Sequence, residues 1–305
     1  MFSLSSKRVE EAFIGVGKAL SRVRIRAIPW LLYHTAPLVL GDGTRLHATT
    51  SGFKIVMNPR EYFSCLMVYG RYGREMVALL RQIVRTGDSV IDIGAQLGYV
   101  SCHLALLVGV TGQVHSFEPD PRALERLWVA VRENHFSWVR VFPVAAAAEE
   151  GKITFYVSPV LGWSTAVAGT HRTDCSAIEV RAARVDTLAQ TGGIRRPVRF
   201  IKVDVEGFEC SVLDGMRELI AEDRPYLLTE VNPRMLGARG LSSVDLLSPL
   251  QKCGYRFYAV EESRGLLRGG EVDLRPVDPS RVLPFCDVLC VPEGGAVPSQ
   301  SPAYG

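Results

Sequence analysis

The stretch VIDIGAQLGYVS, residues 90–101, decides the fold. It begins as a short apolar strand, continues as a loop that contains Gly94 and Gly98, and ends in the first turn of a helix. Glycine lets the main chain approach a ligand closely, and the helix that follows presents free N–H groups. In open α/β sheets, ligands bind at the carboxyl ends of such strands. The stretch therefore predicts a nucleotide-type cofactor site.

An acidic residue stands where a ribose would be bound. The second strand, GQVHSFE (112–118), ends in Glu118, about twenty residues past Gly98. A carboxylate at that distance can accept hydrogen bonds from both hydroxyls of a ribose. Glu118 is therefore predicted to bind the ribose of the cofactor.

The charge beside the glycine loop separates two candidate cofactors that both carry a ribose. The dinucleotide fingerprint G-x-G-x-x-G is absent, since the loop is Gly94-Ala95-Gln96-Leu97-Gly98. Asp92 precedes the loop, and a carboxylate there repels a pyrophosphate but attracts an ammonium or a sulfonium. The pattern favours S-adenosylmethionine over NAD. Two alternatives stay open: a nicotinamide-dependent oxidoreductase, and a loop in which Asp92 is only a cap.

A second group of charged residues lies in RFIKVDVEGFECSVLDGM, residues 199–216. Lys202, Asp204 and Glu206 alternate along a strand that would be wholly apolar if it served only the core, because buried charges must be paired or solvated. Asp204 and Glu206 lie at its carboxyl end, and Glu230 ends the next strand, YLLTEV (226–231). These carboxylates are predicted to meet at one crevice. The alternative is an ion pair between Lys202 and a carboxylate, with Glu206 capping the next helix.

Several motifs in a fixed order resemble the FkbM family, and the resemblance covers roughly residues 86–292. IKVDVEGFE is the specific element, whereas a glycine loop alone is common to many folds. The motifs are VIDIGAQLGYVS, FEPDP (117–121), Ala145 after the third strand, VDTL (185–188), IKVDVEGFE (201–209) and LLTE (227–230).

The resemblance implies a class I S-adenosylmethionine-dependent methyltransferase, typically acting on oxygen. It implies an α/β fold with a Rossmann-like, doubly wound sheet of seven strands, mostly parallel, in which FCDVLCVP (285–292) is the antiparallel last strand. It also implies that Asp204 lies near the transferred methyl. Gln96 stands where the family usually has asparagine, and we expect a slight shift of the loop geometry. The predicted cofactor-binding residues are Asp92, Gly94, Ala95, Gln96, Gly98, Glu118 and Ala145.

A base is needed to take the proton of a hydroxyl acceptor. Asp204 is the first candidate and Glu206 the second. The third is His171, in a loop over 158–175 that contains Gly162-Trp163-Ser164-Thr165 and could fold over the substrate. Clustered carboxylates at Asp204, Glu206 and Glu230 also suit magnesium, although we predict no metal.

Composition and patterning divide the chain of 305 residues into four parts. Residues 1–40 are a basic amphipathic helical extension, in which Pro29 and Pro37 are expected to break the helical pattern. Residues 41–85 lead into the core and are helical over roughly 61–84. Residues 86–292 form the methyltransferase domain, and residues 293–305 form a disordered tail rich in Pro, Gly and Ser.

The charge balance and the cysteines limit the partners and the compartment. The net charge is +3, from 35 basic and 32 acidic residues, which argues against a nucleic-acid partner. The seven cysteines form no C-x-x-C pair, so a reduced, cytoplasmic compartment is predicted. The predicted acceptor is a hydroxyl on a glycan or on a small molecule such as a polyketide-like or other secondary metabolite. Residues 1–28 are a candidate for weak contact with a membrane surface, and the alternative is that their apolar stripe packs against the methyltransferase domain as a lid or a dimer contact. For the whole protein, a non-catalytic cofactor-binding module is a further alternative.

Overall fold

A mixed sheet of eight strands forms the centre of the fold in the computed structural model, which describes residues 4–20, 27–40, 43–160, 162–169, 174–262 and 272–299. The strands are β1 (Arg45–Ala48), β2 (Lys54–Met57), β3 (Ser89–Ile93), β4 (Gln113–Phe117), β5 (Val139–Phe142), β6 (Ala145–Ala146), β7 (Gly151–Val157), β8 (Ser176–Ala183), β9 (Val198–Val203), β10 (Tyr226–Val231), β11 (Tyr255–Glu262), β12 (Val272–Pro276) and β13 (Cys286–Pro292). The helices are α1 (Leu4–Leu20), α2 (Ala27–Leu40), α3 (Tyr62–Val68), α4 (Arg74–Ile83), α5 (Tyr99–Val108), α6 (Pro121–Glu133), α7 (Val185–Gln190), α8 (Glu209–Asp214), α9 (Arg217–Asp223), α10 (Pro233–Gly237) and α11 (Ser243–Lys252).

The order of the strands places the two charged motifs side by side. The central sheet runs β12-β11-β13-β10-β9-β3-β4-β5, and β3 pairs in parallel with both β4 and β9. The chain therefore moves outward from β3 in one direction and returns to β9 on the other side, which creates a crevice at the carboxyl ends of β3 and β9. Strand β13 is antiparallel to β10 and β11. This confirms the doubly wound, mostly parallel sheet and its antiparallel last strand.

The number of strands differs from the seven that the family resemblance implies. The eighth, β12, pairs antiparallel with the outer edge of β11. Val272 and Leu274 are buried on one face of β12, whereas the residues between and after them are exposed. This short strand covers an edge that would otherwise present unpaired main-chain groups.

Both faces of the central sheet are covered, as the apolar strands predict. Successive residues of a strand point to opposite faces, and Val90 and Phe200 belong to one core whereas Ile91 and Ile201 belong to the other. The first core also contains residues of α2, α4 and α5, and the second contains residues of α8, α9 and α11. Strands β7 and β8 are antiparallel and form a separate small sheet with β6.

The helical pattern over 61–84 is interrupted in the structure, contrary to the prediction of one helix. It forms α3 and α4, and the residues between them include Gly70 and Gly73 with positive φ angles of 64° and 54°. A Cβ atom on Gly70 would overlap the side chain of Thr50. The chain therefore turns at a point where only glycine fits.

The prolines of the N-terminal extension do not end its second helix, which corrects a second expectation. Pro29 lies in the first turn of α2, where the missing N–H has no intrahelical partner to lose. Pro37 lies inside α2. Leu32, Ala36 and Leu40 are at most 3% exposed, and we attribute the tolerance of Pro37 to this burial. Among the described residues, every helix is too short or too polar to cross a lipid bilayer.

The tail predicted over 293–305 begins with residues that have hydrogen-bond partners in the domain. The main-chain carbonyls of Gly295 and Ala296 accept hydrogen bonds from Arg256 and Tyr226. The described residues of this segment, 293–299, form no helix or strand.

Gly98 holds the glycine loop against α6. Its φ is 85°, and a Cβ atom there would lie 2.6 Å from Leu127 Cδ1. We predict that Gly98→Ala lowers the free energy of unfolding by ~1–3 kcal/mol more than Gly192→Ala does. Gly192 is the matched control, because its φ is 76° but a Cβ there would meet nothing within 4 Å. Urea unfolding of both variants measures the difference, and equal losses would contradict a packing role for Gly98.

Candidate active site

A cavity of about 760 Å³ opens at the carboxyl ends of β3, β9 and β10. It brings together the two motifs that the sequence analysis singled out, together with aromatic residues from three other parts of the chain. The residues that line it include Phe63, Gly94, Ala95, Gln96, Glu118, Asp120, Trp163, Lys202, Asp204, Glu206, Glu230, Asn232, Arg234 and Phe285.

The glycine loop forms one wall and touches the end of β9. The N–H groups of Gly94 and Ala95 both donate to the carbonyl oxygen of Phe117, each at 3.0 Å. Gly94 has a φ of 81°, and a Cβ atom on it would overlap the carbonyl oxygen of Asp204. Because Gly94 has no side chain, the glycine loop and the loop after β9 can come into contact.

Glu118 lies against this loop and is almost fully buried. Its two carboxylate oxygens accept hydrogen bonds from the N–H groups of Gln96 and Asp120, both at 2.8 Å. Burial raises the pKa of Glu118 to about 7, although these hydrogen bonds oppose the shift. Gln96 has a φ of 52°, a conformation in which asparagine is more often found than glutamine. The departure from the family pattern therefore falls on a strained residue.

Three predicted cofactor-binding residues do not line this cavity. Asp92 is fully buried, its Oδ2 accepting a hydrogen bond from Ser101 Oγ at 2.6 Å. Gly98 faces α6, and Ala145 lines a second, much smaller cavity that adjoins the first at Gly94. Gly94, Ala95, Gln96 and Glu118 do line the main cavity.

Lys202 carries the buried positive charge of the site. Its Nζ lies 3.0 Å from Asp204 Oδ2 and 3.9 Å from Asp92 Oδ1. Burial alone would lower the pKa of Lys202, but Asp204 and Asp92 outweigh it and raise that pKa above its usual value. The ion pair that the sequence analysis kept as an alternative is therefore present, and it includes the first candidate base.

Glu206 and Glu230 have no such partner: within the described ranges, no basic side chain lies within 4.0 Å of either carboxylate. Burial raises the pKa of Glu206 to about 8, and the charge of Asp204 adds to the shift. Burial and the charges of Asp204 and Glu206 raise the pKa of Glu230 to about 9. Both side chains are therefore mostly protonated at neutral pH, and of the two pKa values that of Glu206 lies nearer to neutrality.

Glu206 does not cap the next helix, which is the other half of that alternative. The N-cap residue of that helix is Phe208, and no side chain caps it. Glu209, in the first turn, holds the preceding loop instead, since its Oε1 accepts hydrogen bonds from the N–H groups of Val205 and Gly207. Glu206 itself has a φ of 52°, and its carbonyl oxygen accepts a hydrogen bond from Thr165 Oγ1 at 2.7 Å. Strained residues of this kind cluster at functional sites.

Three carboxylates of the cavity are close enough to share one ligand. Asp204, Glu206 and Glu230 each offer an oxygen atom, and these atoms lie within 4.8 Å of one another. Carboxylate oxygens are the ligands that magnesium prefers. The same closeness also explains the raised pKa values by mutual repulsion.

The predicted loop over 158–175 contacts both halves of the cavity. Ser164 Oγ donates to Asp120 Oδ2 at 2.8 Å, and Thr165 Oγ1 donates to the carbonyl oxygen of Glu206. Arg122 donates to the carbonyl oxygen of Ser158 at 2.6 Å. Trp163 lines the cavity and is 47% exposed. The third candidate base, His171, lies outside the described residues.

The sequence analysis did not single out three residues on the far wall. Asn232 and Arg234 follow β10, and Phe285 precedes β13. The pair Asn232-Pro233 is a helix-start signal, because Asn232 accepts a hydrogen bond from Met235 N–H and Pro233 follows it as the first helical residue. That signal, directly after the strand with Glu230, points to the far wall.

The raised pKa values of Glu206 and Glu230 predict that stability falls as pH rises. In the unfolded chain both groups ionise near pH 4.5, whereas in the folded chain they titrate near 8 and 9. Between about pH 7 and pH 9 the folded state therefore binds more protons than the unfolded state, and deprotonation destabilises it. We expect the melting temperature of the ligand-free protein to fall less steeply over this range in Glu206→Gln/Glu230→Gln than in the wild type.

The control for this experiment replaces two exposed glutamates, Glu125→Gln/Glu149→Gln, which removes the same formal charge. Melting curves at several pH values give the comparison. If the double variant of the cavity keeps the wild-type slope, these two groups do not titrate in this range.

Comparisons with known proteins agree with the sequence motifs. Residues 92–257 match the Methyltransferase FkbM domain. A hexuronic acid methyltransferase, AglP of Haloferax volcanii, is 27% identical over 165 residues, which are 53% of this chain and 63% of that protein. The chain thus matches less than two thirds of the length of this relative.

The solved structures that this chain resembles are more distant in sequence. The methyltransferase FkbM from Methylobacillus flagellatus KT has 17% identity and a TM-score of 0.41, and the match covers 75% of this chain and 54% of that one. Fibrillarin from Aeropyrum pernix, solved with natively bound S-adenosylmethionine, has 12% identity and a TM-score of 0.41 over 82% and 83%.

The matched region begins at Asp92 and ends at Phe257, so it includes both charged motifs and four of the eight central strands in full. It takes in more than half of the chain. The resemblance drawn from the motifs is thereby confirmed: the chain belongs to the Methyltransferase FkbM domain family.

Proposed function

We propose that this protein transfers a methyl group from S-adenosylmethionine to an oxygen of a glycan or small-molecule acceptor. The observation that carries the proposal is a single cavity that joins the glycine loop and Glu118 to the carboxylates of Asp204, Glu206 and Glu230. The family to which the chain belongs supports methyl transfer, and the sugar-acid relative supports a glycan acceptor.

The cavity has the chemistry to hold this cofactor. Glu118 offers a buried acceptor for ribose hydroxyls, beside the main chain of Gly94 and Gln96. Five carboxyl groups line the described part of the cavity (Glu118, Asp120, Asp204, Glu206 and Glu230), together with the basic residues Lys202 and Arg234. Glu206 and Glu230 are mostly protonated at neutral pH; a bound cation would favour their ionised forms, whereas a bound anion would oppose ionisation. The ammonium and sulfonium of S-adenosylmethionine therefore suit this lining better than the pyrophosphate of NAD does.

When bound, S-adenosylmethionine would supply a methyl group that is already activated by its positive sulfur. The protein then has two tasks, to orient the acceptor oxygen in line with that methyl and to keep water away. Positioning of this kind can lower a barrier by ~7–11 kcal/mol at best. The loop with Trp163, Ser164 and Thr165, which contacts both halves of the cavity, is suited to exclude water.

Glu206 is the better placed of the two described bases for the hydroxyl proton. The charge of Asp204 is already balanced by Lys202 at 3.0 Å, whereas Glu206 titrates near 8. A general base works best when its pKa lies near the operating pH. We therefore assign proton removal to Glu206 and assign to Asp204 the positioning of Lys202 and of the loop after β9.

The proposal is tested by binding and by turnover. Calorimetry with S-adenosylmethionine and with NAD distinguishes a methyltransferase from an oxidoreductase. Isotope-labelled S-adenosylmethionine, incubated with uronic-acid-containing and neutral glycans, followed by mass spectrometry of the products, shows whether an oxygen is methylated. Binding of NAD alone, or binding of S-adenosylmethionine without any labelled product, would refute the proposed reaction.

Glu118→Ala is predicted to weaken binding of S-adenosylmethionine by ~1.5–3 kcal/mol, which is the usual contribution of hydrogen bonds to a charged acceptor. Since Glu118 also accepts the N–H groups of Gln96 and Asp120, the isosteric Glu118→Gln serves as the control and should show a smaller loss. Calorimetry measures both affinities. An unchanged affinity of the alanine variant would show that Glu118 does not contact the ribose.

Glu206→Gln is predicted to lower kcat by ~10²–10⁴-fold, as expected for loss of a general base, while the affinity for S-adenosylmethionine changes little. Asp204→Asn is also expected to lower turnover far more than cofactor affinity, since it leaves Lys202 without its closest partner. The pH dependence of kcat distinguishes the two roles. The rise of kcat with pH that is centred near pH 8 should disappear in Glu206→Gln and persist in Asp204→Asn. The reverse outcome would make Asp204 the base.

A further inference from the structure

We infer that the N-terminal pair of helices attaches this protein to an anionic lipid surface through a face that points away from the core. Helix α2 contains no charged residue. One of its sides packs on the domain through Leu32, Ala36 and Leu40, each at most 3% exposed. A helix without charged residues and with few polar ones is usually buried on most sides, and this one is buried on only one.

The opposite side of α2 is uncovered and mostly apolar, although it also contains the exposed His34. Trp30, Leu31 and Leu38 are 60%, 46% and 82% exposed. With about 100° between successive residues of a helix, these three lie within about 100° of one another and away from the packed residues. Large apolar side chains gathered on one face mark an interaction surface.

Helix α1 shows the same division. Phe13 and Ile14 are half-buried, and Gly17 is buried so tightly that a Cβ atom on it would overlap the ring of Tyr69. Val9, Val16 and Leu20 are 58%, 57% and 36% exposed, and their spacing places them within about 40° of one another. The two helices therefore pack on the domain with one side each and expose apolar residues on another.

Charge identifies the occupant as an anionic bilayer. The connection between α1 and α2, residues 21–26, reads Ser-Arg-Val-Arg-Ile-Arg and contains no acidic residue. Residues 1–34 hold six basic residues against two acidic ones, an excess of four, although the whole chain carries only +3. Basic residues next to exposed Trp and Leu are typical of helices that lie in the membrane interface and bind acidic lipids.

A second copy of the chain suits this face less well. A symmetric dimer brings the same patch of both subunits together. Residues 1–34 of each subunit carry an excess of four positive charges, and repulsion between two such like-charged segments would oppose the association. The lengths of α1 and α2, 17 and 14 residues, agree with helices that lie on a bilayer rather than cross it.

Vesicle co-sedimentation of the full chain tests this inference. We expect the wild type to sediment with vesicles of equimolar phosphatidylcholine and phosphatidylglycerol, to remain in solution with phosphatidylcholine alone, and to be released by salt. The triple variant Trp30→Ser/Leu31→Ser/Leu38→Ser should bind at least about tenfold more weakly, because it loses apolar burial. The control, Val110→Ser/Val282→Ser, removes side chains that are 75% and 69% exposed elsewhere and should bind as the wild type does.

Two further measurements make every outcome decisive. Melting temperatures show whether the triple variant is folded, as its exposed positions predict, and ultracentrifugation without lipid measures self-association. Failure of the wild type to sediment with anionic vesicles, or equal binding by the triple variant, overturns the inference. A dimer that the triple variant abolishes would assign the face to a second copy instead. None of the replaced residues lines the cavity, so the result is independent of the proposed reaction.

Discussion

The ammonium group of Lys202 is the charge on which the rest of the site depends. Lys202 lies directly beside Asp92 in the register of β9 and β3 and contacts Asp204 at the end of its own strand. A buried cation costs several kcal/mol of desolvation unless it is paired, and these two carboxylates supply the pairing. Removing Lys202 would leave Asp92 and Asp204 without a basic side chain within 4.0 Å in the described part of the chain.

Much of this site can be predicted from the sequence alone, because most of its residues lie at the carboxyl ends of strands. Parallel strands bring their carboxyl ends to one edge, so the glycine loop, Glu118, Asp204 and Glu230 were expected together, and the structure brings them together. The position of Asp92 could not be predicted in this way. Strand alternation decides which side it faces. Its carboxylate contacts Ser101, in the next helix, and Lys202, which is far along the chain. Asp92 thus acts on the cavity through Lys202 rather than by lining it.

The features that the sequence analysis predicted wrongly share a physical cause, which is that tertiary contacts override local patterns. Strand β12 is five residues long and is stable only as the partner of β11. Gly70 interrupts a good helical pattern because the side chain of Thr50 occupies the adjacent space. Pro37 is tolerated in α2 although a proline inside a helix costs about 3 kcal/mol, and we attribute this to the burial of Ala36 and Leu40, which precede and follow it in the helix.

The backbone at Glu206 links the strain in the site to its chemistry. A residue other than glycine in the left-handed region costs roughly 1–2 kcal/mol, so other contacts must hold it. Thr165 binds the carbonyl oxygen of Glu206, and Glu209 binds the N–H groups on either side of it. These contacts set the carboxylate of Glu206 within reach of Glu230 and Asp204, and that closeness, together with burial, raises its pKa toward neutrality. The same hydrogen bond from Thr165 joins the loop that lines the cavity to the proposed base, so the position of this loop and the backbone conformation of the base are coupled.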